Sequence, residues 1–259
     1  MTGSGNHTYL VADSGSAALI DAGVGNPTHL EETHRELERT DATIESVLVT
    51  HGHPDHASGA PALAAAFPTA RFRKFPWPDE DRRFAVTWEP LSDGQLITVG
   101  AEMLTAVYTP GHSPDHMSFW HAPTRTLFSG DLVVEGSSVM IHASRGGSLS
   151  QYLASLKRVL ALEPLRLLPA HGPEILEPER IIRAYLAHRQ MREEQVIRSL
   201  RSGGGTVRAI VESIYDDLAP GLIAAAEENV RAHLEKLRLE GLAVEHLGRW
   251  VFASQTESP

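Results

Sequence analysis

The sequence predicts a two-part α/β chain: a layered α/β domain over residues 1–174, then a helical, winged-helix-like module over residues 175–259. Three observations predict it. Up to Pro173, short aliphatic or β-branched runs alternate with turns and helical stretches. Beyond Pro173 the apolar residues fall at helical spacing until two short runs around Gly248 close the chain. Finally, four apolar runs break abruptly into a turn that carries histidine or aspartate, and ligand sites in α/β sheets collect outside the carboxyl ends of strands.

Taken in order, His7 to Ala12 and Ala17 to Asp21 read as a hairpin across Asp13-Ser14-Gly15-Ser16. Asn26-Pro27 opens a polar helix to about Arg39, with Pro27 suited to a first helical position. Glu45 to Thr50 is a compact strand, and Ala60 to Phe67 a short Ala-rich helix ended by Phe67-Pro68. Strands follow near Gln95 to Val99, Met103 to Thr109, Ser118 to His121 and Arg125 to Phe128. Leu149, Tyr152, Leu153, Leu156, Val159 and Leu160 share one face of a helix over Ser148 to Leu162, and Leu165 to Leu168 is another strand. In the second part, Pro178 to Leu200 is a long charged helix broken by Ser202-Gly203-Gly204-Gly205. Thr206 caps a helix with Val207, Ile210, Val211, Ile214, Tyr215 and Leu218 at helical spacing. Pro220-Gly221 breaks again, and Ile223, Ala226, Val230, Leu234 and Leu237 mark the next helix. Leu242 to His246 and Arg249 to Ala253 form the wing.

With 259 residues, 42% of them hydrophobic, the chain can bury a core without staples. It has no cysteine, which excludes disulfides and thiolate ligands and leads to the expectation of a cytoplasmic protein. Any transition-metal site must therefore use imidazole and carboxylate. The longest small-apolar run, Pro61 to Phe67, falls far short of the roughly 20 residues needed to span a bilayer, so no membrane is expected. Met1 to His7 shows neither the basic nor the apolar region of a signal peptide. The formal charge of −10 argues against a polyanion as the default partner.

The strongest chemical signal is Thr50-His51-Gly52-His53-Pro54-Asp55-His56. On an extended segment, side chains at i and i+2 point the same way, so His51 and His53 can grip one ion. The turn at Pro54 then lets Asp55 and His56 swing to a second ion. Pro110-Gly111-His112, Ser129-Gly130-Asp131 and Pro169-Ala170-His171-Gly172 each follow an apolar strand in the same way. His116, in His112-Ser113-Pro114-Asp115-His116, reads as a catalytic group that supports the metal ligands or contacts substrate, or equally as a packing histidine. His7, His29, His34, His121, His142, His188, His233 and His246 lie outside these motifs and read as structural or solvated.

This set resembles the metallo-β-lactamase superfamily, marked by an early aspartate (here Asp21), a His-x-His-x-Asp-His run, a later lone His, a Gly-Asp and a final His. The resemblance spans about residues 5 to 175 and implies an αββα sandwich with a two-metal centre. It implies one ion on His51, His53 and His112, another on Asp55, His56 and His171, and Asp131 bridging both. Imidazole-plus-carboxylate ligation suggests two Zn2+, with Mn2+ or Fe2+ compatible by ligand type. A glutamate in place of His53 would have pointed to iron redox relatives. Two ions about 3.5–4 Å apart would lower the pKa of a bridging water towards roughly 7 and yield hydroxide to attack a carbonyl or phosphoryl centre. Asp55 would orient that nucleophile and pass its proton. The family usually has a strand and a Pro-rich turn before the segment matching Gly3 to Tyr9, so either a trimmed start or a missing edge strand is expected.

The second part narrows the resemblance. Leu168 through Ile175, Tyr185-Leu186-Ala187-His188-Arg189 and Leu234-Glu235-Lys236-Leu237-x-x-Glu240-Gly241 are similar to β-lactamase-like proteins with a C-terminal winged helix, whose animal members include a mitochondrial endoribonuclease. Yet residues 175–259 hold 11 Lys+Arg against 13 Asp+Glu, and no basic stripe of the kind that phosphate binding needs. The one dense basic run, Arg71-Phe72-Arg73-Lys74, reads as an edge strand protected by charge. Three functions follow in order: hydrolysis of an ester, thioester, lactone or amide in a small acyl substrate; endoribonuclease action on single-stranded RNA; and, least favoured, non-catalytic regulation by the winged helix. The module reads as a lid, pocket wall or dimer element, with a homodimer as one expectation.

Overall fold

The computed structural model describes residues 5–136, 138–215 and 217–253. The first sheet is built by β1 Tyr9–Asp13, β2 Ser16–Ile20, α1 Pro27–Thr40, β3 Thr43–Leu48, the short helices α2 Pro54–Ala57 and α3 Ala60–Ala66, β4 Arg71–Lys74, α4 Pro78–Asp81 and β5 Trp88–Pro90. Its strands lie in the order β1-β2-β3-β4-β5, with only the β1/β2 pair antiparallel. Ser14 and Gly15 turn the hairpin with φ of 49° and 82°, the double positive φ of a type I′ turn. Asn26 caps α1 by accepting the Thr28 N–H at 3.0 Å.

The second sheet comprises β6 Leu96–Val99, β7 Glu102–Tyr108, β8 Met117–His121, β9 Thr126–Gly130 and, after α5 Leu149–Ala161, β10 Arg166–Pro169. Its order is β10-β9-β8-β7-β6, antiparallel except for β10 beside β9. Then come α6 Pro178–Arg201, α7 Val207–Ile214, α8 Ile223–Leu239 and the hairpin β11 Ala243–His246 with β12 Arg249–Phe252.

Burial alternates as a doubly covered sheet requires. Ala18 and Ile20 of β2 face inward to meet Leu104, Phe119 and Phe128 between the two sheets. Ala17 and Leu19 face outward onto Leu37 of α1 and Leu63 of α3. On β3 the alternation slips, with Ile44 and Val47 on the same outer face. The register against β2 shifts by one residue there, Ala17 pairing Ile44 but Ala18 pairing Ser46, so a bulge restores the pattern. The outer face of the second sheet is closed by Leu149, Tyr152 and Leu156 of α5 and Ile181, Ile182 and Tyr185 of α6. The layers are thus α/β/β/α.

A separate cluster, with Val196, Leu200, Ile210, Val230, Leu234 and Trp250, fills the C-terminal module. Helix α6 serves both cores, its first half in one and its second half in the other. The expected boundary at 174/175 lies just before this shared helix.

Two expectations need correction, and three short elements went unread. The basic run is no edge strand: β4 is paired on both sides, by β3 and β5. Its Lys74 is buried, while Arg71 pairs with Glu89 of β5 at 2.6 Å. The helix after Thr206 stops at Ile214 rather than reaching Leu218, because Tyr215 is already extended. Strand β5 and helices α2 and α4 are too short to stand out by periodicity. Among the described residues, no helix is long and apolar enough to cross a membrane.

Candidate metal centre

The ligand-bearing segments meet at the carboxyl ends of β3, β7, β9 and β10. Two groups form side by side: His51, His53, His112 and Asp131, then Asp55, His56 and His171. All seven predicted side chains are therefore brought together. In the first group, Nδ1 of His53 lies 2.8 Å from Nε2 of His51 and 3.0 Å from Nε2 of His112. In the second, Nε2 of His171 and Nε2 of His56 lie 3.3 and 3.7 Å from Oδ2 of Asp55. Asp131 stands between the groups. Its Oδ2 is 3.5 Å from His112, while its Oδ1 is 3.6 Å from His56 and 3.4 Å from His171.

Three of the rings are aimed by an accepting partner at the other nitrogen. His112 donates from Nδ1 to the Met140 carbonyl and His171 to the Gly5 carbonyl, both at 2.8 Å. His56 Nδ1 lies 2.8 Å from the Asp21 carboxylate. These partners only accept, so Nδ1 carries the hydrogen and a neutral ring presents a lone pair at Nε2. Those lone pairs point at the oxygens of Asp131, acceptor against acceptor. His56 Nε2 and Asp131 Oδ1 are buried with no hydrogen-bond partner. Buried acceptors facing one another are unfavourable unless a cation lies between them. The donor set therefore fits a dinuclear metal site.

The electrostatics show where the cluster draws positive charge, a proton or a metal ion competing for the same place. Burial and the neighbouring rings hold His51 well below its ordinary value, burial pushes His53 down to about 3, and burial lowers His112. Against its burial, Asp131 is held strongly down by His56 and then His112. Burial lowers His56, but Asp21 and Asp131 outweigh it and raise the ring well above its usual value. A hydrogen bond to Asp55 raises His171. The imidazoles nearest His53 stay neutral, and the carboxylate end draws positive charge.

His116 does not reach the open site. It is fully buried, its Nε2 accepts the Asp131 N–H at 3.0 Å, and its Nδ1 is 2.9 Å from Thr109 Oγ1. Both nitrogens are used inside the protein, so of the readings open to His116 the structure fits a group that supports a ligand and not one that touches substrate. Gly130 allows this approach: it has φ of +51°, and a Cβ there would sit 2.7 Å from His116 Nε2.

Asp21, the early aspartate of the resemblance, has a defined task here, and two further supporting groups, Asp115 and Lys74, escaped sequence reasoning. Asp21 accepts from Thr50 N–H and Thr50 Oγ1 at 2.7 and 2.9 Å, fixing the strand end before His51. Asp115 accepts the Gly52 N–H at 2.7 Å and the Ser113 hydroxyl at 2.8 Å. Lys74 lies 3.0 Å from Asp115 and also pairs with Asp81. This network ties β4 to both histidine loops. The signals available were Asp115 inside the His112 to His116 run and an unexplained lysine at the end of β4.

Comparison with known proteins follows the same division. The family model of the metallo-beta-lactamase superfamily matches residues 1–171. The beta-lactamase associated winged helix domain matches residues 206–250. A beta-lactamase-like protein 2 homolog of Drosophila melanogaster is 32% identical over 254 residues, covering 93% of this chain and 85% of that protein. An atrochrysone carboxyl ACP thioesterase, nsrC, of Aspergillus novofumigatus is 31% identical over 252 residues, covering 92% and 74% respectively. The crystal structure of a beta-lactamase domain protein from Burkholderia ambifaria superposes with a TM-score of 0.79 at 22% identity, covering 95% of this chain and 86% of that one.

Proposed function

Because this chain belongs to the metallo-β-lactamase superfamily, a family of metal-dependent hydrolases, we propose that it hydrolyses a small acyl substrate, with a thioester as the first expectation among thioesters, esters, lactones and amides. The observation that carries this reading is Asp131, whose two oxygens face two separate sets of nitrogens. The thioesterase relative supports the choice of a thioester. Zinc is the metal we assign, since imidazole and carboxylate without thiolate suit it, with manganese and iron as the competing loads.

His51, His53 and His112 would hold one ion, Asp55, His56 and His171 the other, and Asp131 would join them. Bound there, the ions would supply Lewis acidity and bring the pKa of water towards roughly 7. The chain supplies the rest. Met140, Gly5 and Asp21 fix the tautomers of His112, His171 and His56, so that these three donor atoms are set before substrate arrives. Asp55 keeps a quarter of its side chain exposed, at 26%, whereas Asp131 has 14%. We assign Asp55 to orient the attacking water and take up its proton, which it then gives to the leaving group. His116 is a positioning residue that holds the Asp131 backbone.

The endoribonuclease reading finds less support. The arginines of α7 and α8 are answered locally by acid: Arg208 by Glu212 and Glu227, Arg231 by Glu228, Arg238 by Glu235. Little positive charge is left on these two helices to meet a run of phosphates. The test is a side-by-side assay of zinc- and manganese-loaded protein on a thioester, a lactone, a cephalosporin reporter and single-stranded RNA. Turnover of the thioester, abolished in Asp55→Ala, is expected. Cleavage of RNA alone, or turnover unchanged in Asp55→Ala, would overturn the reading.

A further inference from the structure

A cavity of about 200 Å3 lies between α6, α8 and the segment after Asp131, lined by Ser138, His188, Arg189, Arg192, Asn229 and His233. Its cations are poorly answered. Among the described residues, neither Arg189 nor Arg192 has an ion-pair partner. Arg189 is only 2% exposed. It donates to Asn229 Oδ1 at 3.0 Å and to the Val139 carbonyl, and its guanidinium packs over Tyr152. Arg192 donates to Gln195 at 2.9 Å and lies over the Tyr215 ring. The Nε of each arginine is buried without a partner. His233 is also 2% exposed, and neither of its ring nitrogens has a hydrogen bond. Glu193 stands 3.6 Å from its Nδ1 and is already engaged by Lys236 at 2.9 Å.

Two guanidinium groups on one cavity, with no ion-pair partner among the described residues and each with a buried, unpartnered Nε, favour an anion that joins them. The neighbouring surface is of another kind. A groove of about 380 Å3 shares Ser138 and His188 with the cavity and continues over Val134, Ile181 and Tyr185.

We propose that the cavity is a binding site for the carboxylate or phosphate of an amphipathic anion, whose apolar part lies along the groove over Val134, Ile181 and Tyr185. Arg192 and His233 donate to the oxyanion, and Arg189 supplies fixed charge behind them. The site is coupled to the metal centre by a short path. Arg189 holds the Val139 carbonyl, and the next carbonyl, that of Met140, orients His112. The same chemistry could come from the unreacted end of the substrate or from a separate effector. Neither His188 nor His233 has another role in the mechanism above.

The test is titration calorimetry on the full-length, metal-loaded protein with decanoate, 1-decanol and inorganic phosphate as probes. Decanoate is expected to bind at least roughly tenfold more tightly than either of the others, the worth of a charge-assisted hydrogen bond added to apolar burial. Arg192→Gln, checked for an unchanged unfolding transition, should lose about tenfold for decanoate and nothing for decanol, with Arg192→Lys restoring part of it. A carboxylate bound only at the metals would ignore Arg192. Equal binding of decanoate and decanol, or affinity unchanged in Arg192→Gln, would overturn the proposal. Competition between decanoate and an acyl substrate would identify the substrate's own anionic end, and saturable binding without competition a separate effector.

Discussion

Asp131 can serve two sites because its surroundings leave it neither proton nor hydrogen bond at Oδ1. What keeps it there is His116, which anchors the Asp131 backbone from a fully buried position. His116→Ala should leave Asp131 N–H and the Thr109 hydroxyl without this partner, at a cost of about 2–4 kcal/mol with the cavity included. Metal affinity should fall about 10–100-fold, as for other groups that orient ligands. Denaturant unfolding and metal competition measure both. Lost turnover with intact metal affinity would instead put His116 in contact with substrate. The ligands themselves were legible in sequence because four of them crowd into His51 to His56 and the other three each follow a strand. Of their orienting partners only Asp21 was legible, through the resemblance, 35 residues before the histidine it aims. Met140 and Gly5 act through backbone carbonyls, which any residue carries.

At the scale of elements, most strands and helices could be read from period and turn chemistry, because both sheets are covered on their outer faces and, apart from the bulge at β3, alternate. The short basic strand β4 misled because Arg and Lys usually mark an edge. Here Arg71 and Arg73 reach across to Glu89 on β5, and Lys74 turns inward to Asp115. No local pattern reveals such a partner. Helix α6 carries a second lesson, since a chain cut at the expected boundary would lose Ile181, Ile182 and Tyr185 from the catalytic core. At ~1.5–3 kcal/mol for each buried side chain, that loss approaches the whole stability of a domain, about 5–15 kcal/mol. A variant ending at Glu177 should therefore show no cooperative unfolding, whereas one ending at Gly203, with α6 intact, should retain a transition and bind metal. Cooperative unfolding of the shorter variant would show that α6 is dispensable.

The whole molecule combines a four-layer scaffold, a metal cradle at the strand ends and an appended module whose helix α6 also closes the catalytic core. Its negative charge and locally neutralised arginines suit a small substrate better than a polyanion. Four segments spread between residues 51 and 171 contribute to the cradle, so the centre exists only if the entire sandwich forms. The central claim is that this cradle holds two ions joined by Asp131. The measurement that tests it most directly is elemental analysis of the purified full-length protein beside Asp131→Ala, each with its unfolding transition recorded. Two metal equivalents per chain are predicted for the wild type, and no more than one for the folded variant. A single equivalent in the wild type, or two retained in Asp131→Ala, would contradict the account.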